Sequence, residues 1–126
     1  VESNSHKACE IGWFAALCDD DYEFLGVPDA GLQSSYPHCR DITLTAESCG
    51  LDNILLPSGY ALGIDTLTFA AAMAPALRSI KLLTAIRCGE MWPPQQARQL
   101  ATLDRMLHGR LSINIRKRPL SAGRTP

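Results

Sequence analysis

No apolar run in this 126-residue sequence approaches the roughly 20 residues that a membrane-spanning helix needs. The first ten residues, VESNSHKACE, are polar and lack the pattern of a signal peptide. Residues 1–9 therefore read as a disordered leader. An excess of charge of one sign is also missing. A formal net charge of −1 offers no overall attraction to nucleic acid or to an anionic membrane, so neither is expected as a partner. The cysteines, at 9, 18, 39, 49 and 88, form no C-x-x-C pair and no Cys/His spacing suited to a metal. An odd number without such a pattern fits reduced thiols in a cytoplasmic protein. Asp19, Asp20, Asp21 and Glu23 put carboxylates close together, but the central Gly and closing Glu of a calcium loop are absent. The loop over residues 18–33 is read as solvated acid, and no metal is expected.

What is present is the material of one soluble domain. The residues are 46% hydrophobic and 20% charged, which at this length allows a single modest core. Residues 10–17 (EIGWFAAL) are a candidate first strand, with Trp13 and Phe14 near its end. Ser34 or Ser35 can cap a helix that runs to about residue 49, with Gly50 as its stop. Its apolar positions, Ile42, Leu44, Ala46 and Cys49, are only loosely helical in spacing. Residues 51–56 form a second strand, closed by Pro57-Ser58-Gly59. Asp65 can cap a helix over residues 66–77, with Pro75 in its last turn because proline interrupts a helix interior.

Residues 80–115 carry the strongest pattern. Ile80, Leu82, Leu83, Ala85 and Ile86 form an apolar run too short for a helix and bounded by turn residues, so residues 80–86 read as a buried strand. Pro93-Pro94 suit the first turn of a helix, and Ala97, Leu100, Ala101, Leu103 and Leu107 recur at helical spacing. Gly109 suits the left-handed position that ends it. Residues 111–115 are a fourth short strand. Strand, helix, strand with short connections is a βαβ unit, and its crossover makes the strands parallel. Residues 116–126, opening with Arg116-Lys117-Arg118, read as a basic disordered tail.

These residues also carry a family resemblance. Ala97-Arg98, Ala101-Thr102-Leu103-Asp104 and Gly109-Arg110, preceded by a Pro and followed by a strand ending in Asn, resemble the luciferase-like flavin-dependent monooxygenases, in the alkanesulfonate monooxygenase branch. Ile54-Leu55-Leu56-Pro57-Ser58-Gly59 and Leu83-Thr84-Ala85-Ile86-Arg87 add to the likeness. The resemblance implies that residues 10–115 are strands one to four of a TIM-barrel-like fold of parallel (β/α) repeats, the amino-terminal half. Such a barrel has eight strands and about 250 residues. Four strands alone leave two unpaired edges and an uncovered inner face, so self-association is expected.

In parallel α/β folds, ligands sit at the carboxyl ends of the strands. The resemblance accordingly implies FMN at Ser58, Gly59, Ala85, Arg87 and Asn114, with Trp13 and Tyr60 near the substrate. Small residues let a planar ring approach the backbone, Asn114 offers an amide to ring atoms, and Arg87 is suited to an anion. Read without the resemblance, Gly59 is a turn, Asn114 a strand-end cap and Arg87 a surface cation. The implied chemistry is oxidation of an alkanesulfonate or similar small molecule by O2, with reduced FMN supplied by a separate NAD(P)H-dependent reductase. The family's principal catalytic His, Tyr and Arg lie later in the barrel, so no catalytic residue is assigned here. The competing reading is a non-catalytic half-barrel that dimerises and at most binds flavin.

Overall fold

A computed structural model describes residues 9–19, 27, 34–59 and 63–116. The leader over residues 1–8, the tail over 117–126, the carboxylates of Asp20, Asp21 and Glu23, and Tyr60 lie outside the described residues. The elements are β1 (Gly12–Phe14), α1 (Tyr36–Ser48), β2 (Asn53–Leu56), α2 (Thr66–Met73), β3 (Lys81–Arg87), α3 (Pro93–Met106) and β4 (Leu111–Arg116). All four strands are parallel neighbours in the order β1-β2-β3-β4. The alternation of strands and helices expected from the sequence is the alternation observed.

Local signals set most boundaries. Ser35 caps α1 by accepting from the His38 N–H, and Asp65 caps α2 by accepting from the Thr68 N–H at 2.8 Å. Gly50 and Gly109, at φ of 76° and 78°, take the left-handed conformation after α1 and α3 that side chains with a Cβ disfavour. Pro75 stops α2 early, and residues Ala74–Ala76 tighten into a 3-10 turn. β1 is shorter than the expected residues 10–17. The Ala15 N–H makes a last bond to the Leu55 carbonyl, and the Leu17 N–H then turns back onto the Ala15 carbonyl.

The helices bury one face of the sheet. Cys39 and Ala46 of α1, Phe69, Ala70 and Met73 of α2, and Leu103 of α3 share one core with Ile54, Leu56 and Leu82. α1 buries Cys39, Thr43 and Ala46, a stripe that counting apolar residues misses because Thr43 belongs to it. The Thr43 hydroxyl is satisfied by donating to the Cys39 carbonyl at 2.8 Å, so its burial leaves no donor stranded. The register places Phe14, Leu55, Leu83 and Ser112 in one lateral row on the opposite face, which no helix among the described residues covers. In that row Leu55 and Leu83 are only half-buried, and Phe14 is exposed.

Two charged side chains tie the amino-terminal end of the sheet. The Arg110 guanidinium donates to the carbonyls of Leu107, Ile80 and Leu77 at 2.9–3.0 Å, joining the ends of α2 and α3 to the entry of β3. Glu47 at the end of α1 accepts from the backbone N–H groups of Arg78, Ser79 and Ile80 at 2.8, 2.7 and 3.1 Å. Burial pushes the Glu47 carboxyl up, but bonds from Ser79, Ile80 and Arg78 outweigh it and hold the group below its ordinary value.

A carboxylate held low in the folded state stabilises above its unfolded pKa and loses that contribution as the pH falls through the folded one. Glu47→Ala should therefore lower stability by about 1 kcal/mol at neutral pH, the scale of a lost helix cap. The gap between the two proteins should close in acid below the ordinary glutamate range. Urea unfolding of both across that range checks this.

Candidate functional site

Where the strands end, the backbone turns into loops held by side chains from neighbouring elements. The β2 exit, Pro57-Ser58-Gly59, is held twice. Thr66, the first residue of α2, donates its hydroxyl to the Pro57 carbonyl at 2.5 Å. Arg87, the last residue of β3, donates Nε to the Ser58 carbonyl at 2.9 Å, and its Nη2 donates to the same oxygen. The Arg87 side chain is only 16% exposed and lies 3.9 Å from the Glu90 carboxylate. Arg87 is thus a tie between β3 and the β2 loop, unlike a solvated surface cation.

Beside this tie, Cys18, Ser58, Gly59, Gly63, Thr66 and Glu90 line a cleft of ≈ 230 Å³. Gly63 is needed there for close approach: a Cβ would meet the Leu17 carbonyl oxygen at 2.4 Å. The next residue, Ile64, donates its N–H to that same carbonyl at 2.9 Å, so the loop cannot step back without losing the bond. Behind it Asp19, at φ 55°, and Ser34 bond reciprocally. The Asp19 N–H donates to Ser34 Oγ at 2.8 Å and the Ser34 N–H to Asp19 Oδ1 at 2.5 Å.

On the uncovered face, Ala85 and Asn114 are register partners on β3 and β4. Ala85 is buried and Asn114 half-buried. By strand alternation they sit on the same side as Leu83, one step nearer the carboxyl ends. The structure therefore gathers Ser58 with Arg87 and Ala85 with Asn114 at one end of the sheet. Trp13 is not among them. It is the register partner of Ile54, which is buried beneath the helices, and it lines a groove beside α1 with His38, Ile42 and Ala46. Strand parity puts Phe14 on the uncovered face instead. Cys18, Thr66 and Glu90 were not marked in the sequence. Thr66, directly after a capping Asp, carried the one local signal that could have found it.

Among the described residues, no group of three His, Cys, Asp or Glu is placed to hold a metal ion. The surface of this end is chemically mixed: an apolar floor of Leu55 and Leu83, one small residue, one amide, and a guanidinium at the rim. Such a surface suits a flat, partly polar ring with an anionic tail better than a bare ion.

The model of the luciferase-like monooxygenase family matches residues 22–117. The chain is 66% identical over 118 residues to sulfoquinovose monooxygenase of Novosphingobium aromaticivorans, an alignment covering 88% of this chain and 33% of that protein. Against the sulfoquinovose monooxygenase of Agrobacterium fabrum the identity is 55% over 115 residues, covering 91% and 30%. Among solved structures, EDTA monooxygenase from a Chelativorans species matches with a TM-score of 0.68 at 16% identity, covering 86% of this chain and 28% of that one. That is a likeness of fold. The chain spans about a third of the length of these curated relatives.

The Arg87 tie has a measurable consequence. Arg87→Ala should speed amide exchange around residues 58–59 and 63–66 by roughly tenfold, the scale of one lost charge-assisted bond, while β3 stays protected. Arg87→Lys, which keeps one donor, should fall between the two. Exchange followed by mass spectrometry distinguishes these outcomes from global loosening.

Proposed function

The chain belongs to the luciferase-like monooxygenase family, and we propose that it provides the first four strands of a (β/α)₈ barrel that binds FMN. In this reading the complete barrel oxidises a sulfonated small molecule with O2. The supporting observation is the juxtaposition of Ala85, Asn114, Ser58 and Arg87 at the carboxyl ends of parallel strands, on the face without helices. The residues fit the cofactor. Leu55, Leu83 and Ala85 offer a ring an apolar floor with no bulky side chain at its near edge, and the Asn114 amide can both donate and accept at ring heteroatoms. Ser58 and Gly59 leave room at the rim, where Arg87 favours an anion such as a phosphate or sulfonate.

Reduced FMN would supply the oxygen chemistry, and a separate NAD(P)H-dependent reductase would supply the reduced FMN. The role of this chain's residues is to orient the ring and keep water from its strand-facing side. Both relatives are named for sulfoquinovose, so a sulfonated sugar is the first substrate to test, ahead of a simple alkanesulfonate. None of the five cysteines, all among the described residues, forms a disulfide, as a cytoplasmic setting favours. No helix among the described residues is long and apolar enough to cross a membrane.

Titrating FMN against wild type and Asn114→Ala tests the cofactor site. The variant should bind roughly tenfold more weakly, as expected for a lost buried hydrogen-bonding partner. Equal affinities would remove Asn114 from the site. The 126-residue chain alone should not turn over substrate. Given a reductase, NADPH, FMN and sulfoquinovose, it should release no sulfite above a no-protein control, because half a barrel leaves the reacting atoms in water. Sulfite release that Asn114→Ala abolishes would show that these four strands suffice.

A further inference from the structure

The hollows among the described residues differ in chemistry. The groove beside α1 and the one between α2 and α3 present mainly apolar surface. The cleft of ≈ 230 Å³ at the carboxyl end of the sheet presents mainly polar surface. Three connections build it: the exit of β1, the chain from β2 into α2, and the turn after β3. Its polar side chains are mostly acceptors. Glu90 and Asp65 are carboxylates, and an ionised carboxylate has no hydrogen to donate. Asp65 uses one oxygen to accept from the Thr68 N–H. The Thr66 hydroxyl has its hydrogen committed to the Pro57 carbonyl and keeps only acceptor capacity toward the cleft. The Ser58 hydroxyl can both donate and accept. Arg87 Nε donates to the Ser58 carbonyl at 2.9 Å and lies 3.9 Å from the half-exposed Glu90 carboxylate. One guanidinium therefore sets Glu90 and the Ser58 loop side by side at the rim. Gly59 and Gly63 add no side chain, so a ring can approach the backbone there.

We propose that this cleft binds the hydroxyl groups of a sugar, with Glu90 as the acceptor that distinguishes a sulfonated sugar from a simple alkanesulfonate. The inference rests on the reading above for the class of substrate, and adds the part of the site that recognises it. A sugar ring carries hydroxyls on most of its carbons. Each is a donor that gives up water on binding and needs an acceptor in return. A wall rich in acceptors meets that need. An alkyl chain has no donor, so it would strip water from Glu90 and Ser58 without replacing the lost bonds. A site whose polar groups are left unpaired in this way rejects the ligand responsible. The same wall disfavours an anion, because Glu90 and Asp65 repel it. The sulfonate group therefore lies outside the cleft and the hydroxyls inside it. Size agrees with this division. A volume of ≈ 230 Å³ falls below the roughly 300–1,000 Å³ of sites for drug-sized ligands and suits a single ring. Glu90 stands on the exposed turn between β3 and α3, outside the core, so it can be changed without disturbing the sheet.

Titrating the isotopically labelled chain with methyl glucoside, sulfoquinovose and butanesulfonate, while following its amide resonances, tests the cleft. Both sugars should shift the amides of residues 58–59, 63–66 and 88–90, and butanesulfonate should not. Glu90→Ala should bind both sugars roughly tenfold more weakly, as expected for a lost hydrogen bond to a charged group. Glu90→Gln, which keeps one acceptor oxygen, should fall between the two. The resonances of β2 and β3 in the unliganded variants should match those of wild type, which a merely structural role for Glu90 would not allow. If Glu90→Ala loses its fold, Glu90→Gln carries the comparison. Equal shifts from butanesulfonate would assign the cleft to the sulfonate group and overturn the proposal. Sugar binding that neither Glu90 variant weakens would overturn it too. So would unmoved cleft amides at sugar concentrations up to about 50 mM, well past millimolar affinity. A parallel FMN titration keeps the two readings apart. FMN binding without sugar shifts would overturn the cleft and leave the cofactor site standing. Sugar shifts without FMN binding would uphold the cleft and overturn the cofactor site.

Discussion

A parallel strand cannot follow its neighbour through a hairpin; the chain must cross over, and with right-twisted strands that crossover is right-handed. When strands are added in the order β1-β2-β3-β4, every crossover falls on the same side. Among the described residues, α1, α2 and α3 therefore share one core with Ile54, Leu56 and Leu82, and none of them covers the other face. Among the described residues, the open face, the edge positions of β1 and β4 and the gathering of loops at the carboxyl ends all descend from this one constraint. So does the division of labour along the strands. The amino-terminal ends are stapled by Arg110 and Glu47, which satisfy carbonyls and N–H groups left by ending helices and an entering strand. The carboxyl ends carry the cleft and the Arg87 tie instead.

How far the sequence disclosed this differs from element to element. The unit from β3 to β4 was plain because its punctuation is strong: Pro93-Pro94 opens α3 and Gly109 closes it. α1 was harder to read because its buried stripe runs through Cys39 and Thr43, and Thr43 counts as polar until its hydroxyl is seen bonded within its own helix. β1 was overestimated because EIGWFAAL has strand composition throughout. Ala15, Ala16 and Leu17 are buried outside the strand, where the chain turns and Ala15 and Leu17 join the core.

The site divides in the same way. That Ser58, Gly59, Ala85, Arg87 and Asn114 lie at or near the carboxyl ends of strands could be read, because strand ends follow from strand boundaries. That Arg87 would hold the Ser58 carbonyl could not, since the bond depends on the lateral distance between two strand ends. Cys18, Thr66 and Glu90 come together only through the lengths of three separate loops, and residue spacing along a chain carries no record of that. Trp13 and Phe14 show the limit most sharply. Adjacent residues on a strand face opposite ways, so an error of one position exchanges the outside of the sheet for the inside.

The reciprocal bonds between Asp19 and Ser34, reinforced by the Ser34 hydroxyl donating to the Ala16 carbonyl at 2.5 Å, have a meaning for how such a protein can change over generations. They fasten Asp19, after β1, to Ser34, before α1, across a sequence separation of 15. Once the ends are fastened, lengthening the segment costs little: closing a loop twice as long adds only about 0.6 kcal/mol. The clasp itself, and with it the approach of β1 to α1, does not depend on how much chain separates its two halves. A clasp of this kind lets the length of a chain segment change across generations without moving the two elements that it joins.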